Sequence, residues 1–153
     1  MAGRYVSAYM QLVWAVKFRE GLILEEYREE VQRIMCYWFA EHKHQVIAIY
    51  CMPDHVHILF KYSPTQAVSQ LVQVVKTEST KFIKRQYKVS AMKWQGGYAL
   101  FTYSREAIPN VKAYILNQAE HHKRQRSFVE EVADALIVAD EDFAEEYFFH
   151  LPI

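Results

Sequence analysis

An apolar run at residues 52–60 carries two histidines one residue apart, His55 and His57, and it constrains the fold more than any other segment. Residues two apart in a β-strand point to the same face of the sheet, so a strand here presents two imidazoles side by side. Pro53 and Asp54 are turn-forming residues directly before the histidines. The pattern predicts a hairpin whose two strands are residues 45–52 and 55–62.

The rest of the sequence alternates between strand-like and helix-like periodicity. Alternating β-branched and aromatic residues indicate strands, and apolar residues three and four apart indicate amphipathic helices. The predicted elements outside the hairpin are a strand at 5–18, a helix at 24–41, a helix at 66–86 capped by residues 63–65, a strand at 98–103, a helix at 110–123 started by Pro109, and a short helix at 128–137 capped by Ser127. The resulting order is β-α-β-β-α-β-α, and its first six elements match the split βαβ pattern.

The predicted fold class is therefore α+β, with a ferredoxin-like (split βαβ) antiparallel sheet. Helices lie on one face of this sheet, and a C-terminal helix that bears Tyr114 follows it. In this fold the first and third strands form the central pair. The strand with His55 and His57 is the third, so we expect the two histidines in the middle of the sheet, with one face available to a helix or a ligand.

Tyr114 and Gln118 lie four residues apart in the predicted helix 110–123, so they share one face of that helix. If this face meets the two histidines, the result is a metal site with two nitrogen ligands, one oxygen ligand and a tyrosine nucleophile. Such a set of groups can cut a nucleic-acid strand through a phosphotyrosine intermediate. Each part alone has an ordinary reading, because His-x-His recurs in strands and Tyr114 could be a core aromatic.

Length, cysteines and hydropathy point to a cytoplasmic protein of one domain. A chain of 153 residues suits one compact domain, which we place at residues 1–153, with a core at about 5–137 and a tail at 138–153. Cys36 and Cys51 form neither a disulfide framework nor a CxxC metal motif. No signal-peptide pattern and no apolar run of transmembrane length is present, so we expect no membrane association.

Charge is unevenly distributed along the chain. The 18 Lys and Arg balance the 18 Asp and Glu, which argues against binding of nucleic acid by bulk charge but allows a local patch. Segments 76–88 and 121–126 are basic, and segment 130–146 is acidic. Four basic residues of the predicted second helix are spaced three or four apart and line one side of it: Lys81, Lys84, Arg85 and Lys88. They predict contact with DNA phosphates, with a solvated helix face as the alternative.

Four segments of the chain together resemble those of the single-tyrosine HUH transposases. They are the histidine strand, the preceding Pro-Asp, the segment Trp94-Gln95-Gly96-Gly97-Tyr98 and the helix Tyr-Ile-Leu-Asn-Gln at 114–118. This family includes the single-strand DNA transposases of insertion sequences and the REP-associated tyrosine transposases. The resemblance covers about residues 5–137. It implies that His55 and His57 are metal ligands and Gln118 is the third ligand. It also implies that Tyr114 attacks a DNA phosphate, retains the 5′-phosphate and frees a 3′-hydroxyl.

The same resemblance implies the partners. The expected substrate is single-stranded DNA next to hairpins, the expected working unit is a homodimer, and no small-molecule substrate is expected. The expected cofactor is a divalent metal, Mg²⁺ or Mn²⁺, because imidazole favours Mn²⁺ and cellular supply favours Mg²⁺. His121 and His122 follow Gln118 by three and four residues. A metal contact, a phosphate contact and exposure to solvent all remain open for them.

Three other functions fit parts of the sequence. A domesticated or inactive relative would bind DNA hairpins without transposition, although every motif position is filled here. An RNA-binding ferredoxin-like module needs a Lys/Arg-Gly-aromatic strand pattern, which residues 57–60 lack. A histidine-triad nucleotide hydrolase needs a third alternating histidine, and position 59 is Leu59. The transposase reading accounts for the most residues.

Overall fold

The computed structural model describes residues 3–123, with side chains through residue 120. The predicted helix at 128–137, the acidic segment 130–146 and the tail at 138–153 lie outside the described residues. The prediction of one domain over residues 1–153 therefore remains a prediction beyond residue 123. Between residues 3 and 123, no helix is both long enough and apolar enough to cross a bilayer.

Four antiparallel strands form the sheet, and they are β1 (Tyr9–Ala15), β2 (Gln45–Met52), β3 (His55–Lys61) and β4 (Ala99–Tyr103). Their spatial order is β2-β3-β1-β4, so β1 and β3 are the central pair. This order confirms the ferredoxin-like prediction. The predicted hairpin is also confirmed, because β2 pairs antiparallel with β3 across the turn at Pro53 and Asp54.

The first strand is shorter than the predicted 5–18. It ends at Ala15, and a 3₁₀ turn at Lys17–Arg19 follows. Phe18 and Arg19 adopt positive φ angles of 59° and 52°, which are incompatible with a continuing strand. The alternation of residues 5–18 does not reveal this turn, since aromatic residues are frequent in strands and in turns that pack on them.

Two helices cover one face of the sheet, α1 (Glu25–Glu41) and α2 (Val68–Tyr87). Val31, Met35 and Phe39 of α1 recur every four residues and are fully buried against this face. Burial of each such side chain stabilises the folded protein by about 1.5–3 kcal/mol relative to leaving it exposed to solvent. The strands contribute their alternate residues to the same core, chiefly Leu12, Trp14, Val56, Ile58 and Phe60.

Helix α2 begins two residues later than predicted, and the predicted cap at 63–65 is wrong. The N-cap residue is Ala67, which makes no side-chain capping bond. Gln66 is held outside the helix, because the Tyr62 hydroxyl donates to its backbone carbonyl and the His44 ring bonds its side-chain oxygen. Tertiary contacts of Gln66 thus override the local capping signal.

The opposite face of the sheet carries α3 (Ile108–Leu116) and α4 (Gln118–Lys123). Ile115 packs on Leu59 of β3 and Ala48 of β2 in a second, smaller apolar cluster. The predicted single helix 110–123 is therefore two helices separated at Asn117, whose φ and ψ are −103° and 21°. An asparagine side chain competes for backbone hydrogen bonds, which makes it a common point of helix interruption.

Candidate catalytic and metal site

The two histidines lie on the face of β3 that α3 covers. His55, His57 and Leu59 share this face, whereas Val56 and Ile58 point into the core beneath α1 and α2. His55 is completely buried and His57 is 3% exposed. Their ring centroids are 5.2 Å apart, at an interplanar angle of 74°. A one-residue slip of β3 would move both rings to the other face, so the apolar alternation fixes the histidine pair.

Gln11 of β1 orients the His57 ring. The His57 Nδ1 lies 2.7 Å from the Gln11 Oε1, and the Gln11 Nε2 donates to the Tyr103 hydroxyl at 2.6 Å. Because the amide nitrogen of Gln11 faces Tyr103, its oxygen faces His57, and the His57 Nδ1 is the donor. The neutral ring then carries its lone pair on Nε2, which is the arrangement that metal-ligating histidines use.

Asp54 performs the same role for His55. The His55 Nδ1 lies 2.7 Å from the Asp54 Oδ1, so this nitrogen donates the hydrogen bond and Nε2 is the nitrogen available to a metal. A carboxylate partner raises the basicity of a ligating imidazole. The Asp54 carbonyl accepts the backbone N–H of Val16 at 2.8 Å, which holds the turn against the end of β1.

Tyr114 reaches the histidine pair from α3 of the same chain. The Tyr114 and His57 ring centroids are 6.2 Å apart at an interplanar angle of 77°. Ile115 is fully buried beside Tyr114 and fixes the rotation of α3 on the sheet. The structure thus places the Tyr114 ring beside His57, whose ring in turn neighbours that of His55.

Gln118 is fully buried at the first position of α4. Its Nε2 lies 3.5 Å from the Tyr114 carbonyl oxygen, at the limit of a hydrogen bond. The two residues are therefore still close together although the helix is interrupted at Asn117. The interruption at Asn117 places Tyr114 in α3 and Gln118 in α4, so they do not belong to one continuous helix. The backbones of His121 and His122 belong to α4, and their side chains lie outside the described part of the chain.

The donor chemistry of this site fits a divalent metal. Two imidazoles with protonated Nδ1 present Nε2 donors, and a buried amide at Gln118 can add a neutral oxygen donor. Among the described residues, no group of three or more His, Cys, Asp and Glu side chains could hold a metal ion. Gln118 is an amide and so lies outside these four residue types, and its part in a metal site is a proposal.

Lys76 and Gln95 adjoin the site, and the sequence analysis gave neither residue a role there. The Lys76 Nζ donates to the backbone carbonyls of Gln95 at 2.9 Å and Gly97 at 2.7 Å. The Gln95 N–H donates to the Ala15 carbonyl, and Ala15 pairs with His55. Burial lowers the pKa of Lys76 to about 8. Lys76 thus ties α2 to the segment that is hydrogen-bonded to the end of β1, a long-range contact with no local sequence signal.

The predicted DNA-contacting residues of α2 are not brought to the histidines. Lys81, Lys84, Arg85 and Lys88 are exposed, and α2 packs on the sheet face opposite to the one that carries His57. The Lys81 Nζ lies 3.4 Å from the Glu78 Oε1. Their role in binding DNA stays a prediction, and it would require DNA to extend around the edge of the sheet.

The sequence model of the family described as "Transposase IS200 like" matches residues 4–118. The ISDra2 transposase TnpA of Deinococcus radiodurans is 28% identical over 118 residues, which cover 73% of this chain and 83% of that protein. A crystal structure described as a transposase candidate from the same organism has a TM-score of 0.61, with 24% identity, and covers 77% of this chain and 97% of its own. A REP-associated tyrosine transposase bound to a REP hairpin has a TM-score of 0.58, with 12% identity, and covers 80% and 73%. These two structures support the fold.

Proposed function

The chain belongs to the family of IS200-like transposases, which makes it a DNA-cleaving transposase, and we propose that it cleaves and rejoins single-stranded DNA next to hairpins through a 5′-phosphotyrosine intermediate on Tyr114. The observation that carries this proposal is the placement of the Tyr114 ring 6.2 Å from His57. The Tyr114 ring also packs against the apolar cluster of Leu59 and Ile115, and this contact holds the phenol beside the two oriented imidazoles.

In this proposal His55 and His57 bind a divalent metal through Nε2, and Gln118 binds it through Oε1. Mg²⁺ or Mn²⁺ is the expected ion, and when bound it would supply Lewis-acid stabilisation of the charge on the scissile phosphate. Asp54 and Gln11 keep the two rings in the ligating tautomer. An amide ligand adds no negative charge to the site, so the attraction for a phosphate is preserved.

Tyr114 is the nucleophile of the proposed reaction. Its hydroxyl oxygen forms a bond to phosphorus while the bond from phosphorus to the 3′-oxygen breaks, the phenol proton is lost, and the leaving oxygen takes up a proton as a 3′-hydroxyl. The 5′-phosphate stays on the tyrosine. Attack by a 3′-hydroxyl reverses these steps and restores the phenol, so strands are rejoined without an external energy source.

The proposed partner is hairpin-bearing single-stranded DNA, and the proposed working unit is a homodimer. Support for the hairpin comes from the solved REP-associated relative, which is bound to one. Because Tyr114 lies beside His57 of its own chain, we propose that the tyrosine acts within the subunit that binds the metal. A cytoplasmic location belongs to the same proposal, since the substrate is DNA.

A covalent-adduct gel tests this function. Wild type, Tyr114→Phe and Tyr37→Phe would be mixed with labelled hairpin oligonucleotides from the DNA flanking the gene, with Mn²⁺ or with EDTA. Tyr37 is an exposed residue of α1 and serves as the matched control. We expect a denaturant-resistant band with wild type and Tyr37→Phe in Mn²⁺ only. An adduct that survives in Tyr114→Phe would refute the nucleophile, and hairpin binding without any adduct would indicate the inactive relative.

A further inference from the structure

A basic cleft lies at the end of the sheet where β1 and β2 begin and β3 ends. It has a volume of about 270 Å³, and its lining includes Arg4, Lys43, Lys61, Gln45 and Ser63. Among the residues that the structure describes, no aspartate or glutamate lines it. None of its three cations forms an ion pair within residues 3–123. Unpaired cations in one cleft attract an anion even in a chain of zero net charge.

The cleft faces the same side of the sheet as the proposed catalytic site. Lys61 follows His57 by four residues in β3, so the two share a face and lie about 13 Å apart along the strand. Gln45 of β2 pairs directly with Lys61, which places it on that face as well. A nucleic-acid strand held near His57 therefore has a basic cleft within a few nucleotides of its path.

A rigid base supports the cleft. His44 is buried, its Nδ1 accepts the N–H of Ser63 at 3.0 Å, and its Nε2 bonds the Gln66 side chain at 3.1 Å. The His44 ring also stacks on Tyr62 at a centroid distance of 5.3 Å. Burial lowers the pKa of His44, so the ring remains neutral while it holds these bonds. The wall that carries Ser63 is thus fixed before any ligand arrives.

Lys43 occupies a backbone position where glycine is usual. The N–H of Lys43 donates to Ala40 and the N–H of His44 donates to Phe39, which is the Schellman pattern at the end of α1. Lys43 itself has a φ of 71°. A side chain at this left-handed position costs about 1 kcal/mol relative to glycine. This backbone position places the charge of Lys43 at the mouth of the cleft, where it lines the same wall as Gln45.

We propose that this cleft binds a backbone phosphate of the DNA substrate and anchors the strand away from the cleavage point. The proposal rests on the proposed function and adds a second DNA contact to it. The ligand is a phosphodiester, contributed either by the hairpin stem or by the adjoining single strand. Contacts to phosphate carry no sequence information, so the cleft sets the position and the affinity of the DNA.

Fluorescence anisotropy tests the cleft by measuring the affinity for a labelled hairpin oligonucleotide at salt concentrations from about 50 to about 200 mM. One lost phosphate contact lowers the slope of log K against log salt by about 0.9 for a duplex and about 0.7 for a single strand, which is about 8-fold or 5-fold in affinity at 0.1 M salt. We expect this loss for Lys43→Gly and for Lys61→Gln. The matched control is Arg33→Ala, an exposed cation on α1.

Lys43→Gly separates binding from folding. Glycine fits the left-handed position, so this variant should melt at a higher temperature than wild type while it binds DNA more weakly. A hairpin with and without a single-stranded extension identifies the source of the phosphate. If the cleft contacts the stem, the variants should bind both probes more weakly than wild type does, and if it contacts the single strand, only binding of the extended probe should weaken. If both variants bind every probe with unchanged affinity and slope while wild type still forms its covalent adduct, the cleft proposal fails alone. If wild type binds no hairpin at all, the proposed function fails with it.

Discussion

Replacement of Gln11 by leucine should weaken metal binding without removing a metal ligand. The Gln11 Oε1 accepts a hydrogen bond from the His57 Nδ1 at 2.7 Å, and the Gln11 Nε2 donates one to the Tyr103 hydroxyl at 2.6 Å. Leucine has a similar volume but offers no acceptor, so the buried Nδ1–H of His57 loses its partner. Loss of an outer partner of a ligating histidine costs about 10- to 100-fold in metal affinity. The orphaned donor should also lower the free energy of unfolding by about 1–3 kcal/mol.

Calorimetric titration of Mn²⁺ into the purified protein measures the affinity directly, and urea unfolding measures stability. Gln11→Glu is the rescue variant, because a carboxylate also accepts from Nδ1 and should keep Mn²⁺ affinity near that of wild type. His57→Ala gives the effect of losing the ligand itself. Should Gln11→Leu bind Mn²⁺ as tightly as wild type while His57→Ala does not, the hydrogen bond from Gln11 would have no part in preparing the site.

Three further predictions follow from residues around the site. His57→Ala should weaken Mn²⁺ binding and lose covalent-adduct formation together, whereas Tyr114→Phe should lose the adduct and keep Mn²⁺ binding, as titration and the gel would show. Ile115→Ala should lower the free energy of unfolding, as measured with urea, by about 2–5 kcal/mol, because it leaves a cavity at a fully buried position. A loss below about 0.5 kcal/mol would contradict the packing role of Ile115. The pKa of Lys76 is about 8 in the folded protein, below the value of 10.5 that it has in the unfolded chain. Between pH 8 and pH 10.5 the unfolded chain therefore binds more protons at Lys76 than the folded protein does, so the free energy of unfolding should rise with pH in this window. Urea unfolding at the two ends of this window should show a smaller rise in Lys76→Met than in wild type, and equal rises would refute the assigned burial.

Local patterns predicted the sheet and the histidine pair, because both depend on neighbours in the sequence. The turn at Pro53 and Asp54 sets the bounds of the hairpin, and the period of two in β3 places His55 and His57 on one face. The interruption at Asn117 was missed, since apolar spacing continues through it. Lys81, Lys84 and Arg85 lie in α2, whereas Lys88 follows its end with a φ of 57°. Periodicity does not reveal which face of the sheet a helix covers.

The contacts that prepare the site were beyond prediction from one sequence. Gln11 and His57 are 46 residues apart, and their pairing depends on the register between β1 and β3. A glutamine within an apolar strand is a weak signal, because such residues also lie at solvent-facing positions. Lys76 was read as part of a basic segment, whereas its Nζ is committed to two backbone carbonyls.

The hydrogen-bonded row of Tyr103, Gln11 and His57 joins three strands that are adjacent in space but distant along the chain, since Tyr103 follows Gln11 by 92 positions. During synthesis the hairpin of β2 and β3 can form early, yet β4 and then Tyr114 emerge from the ribosome much later. The partial chain therefore carries the histidine pair without the hydrogen-bonded row and without the proposed nucleophile. Under the proposed function, the site would be complete only after β4 and α3 have been synthesised and packed on the sheet.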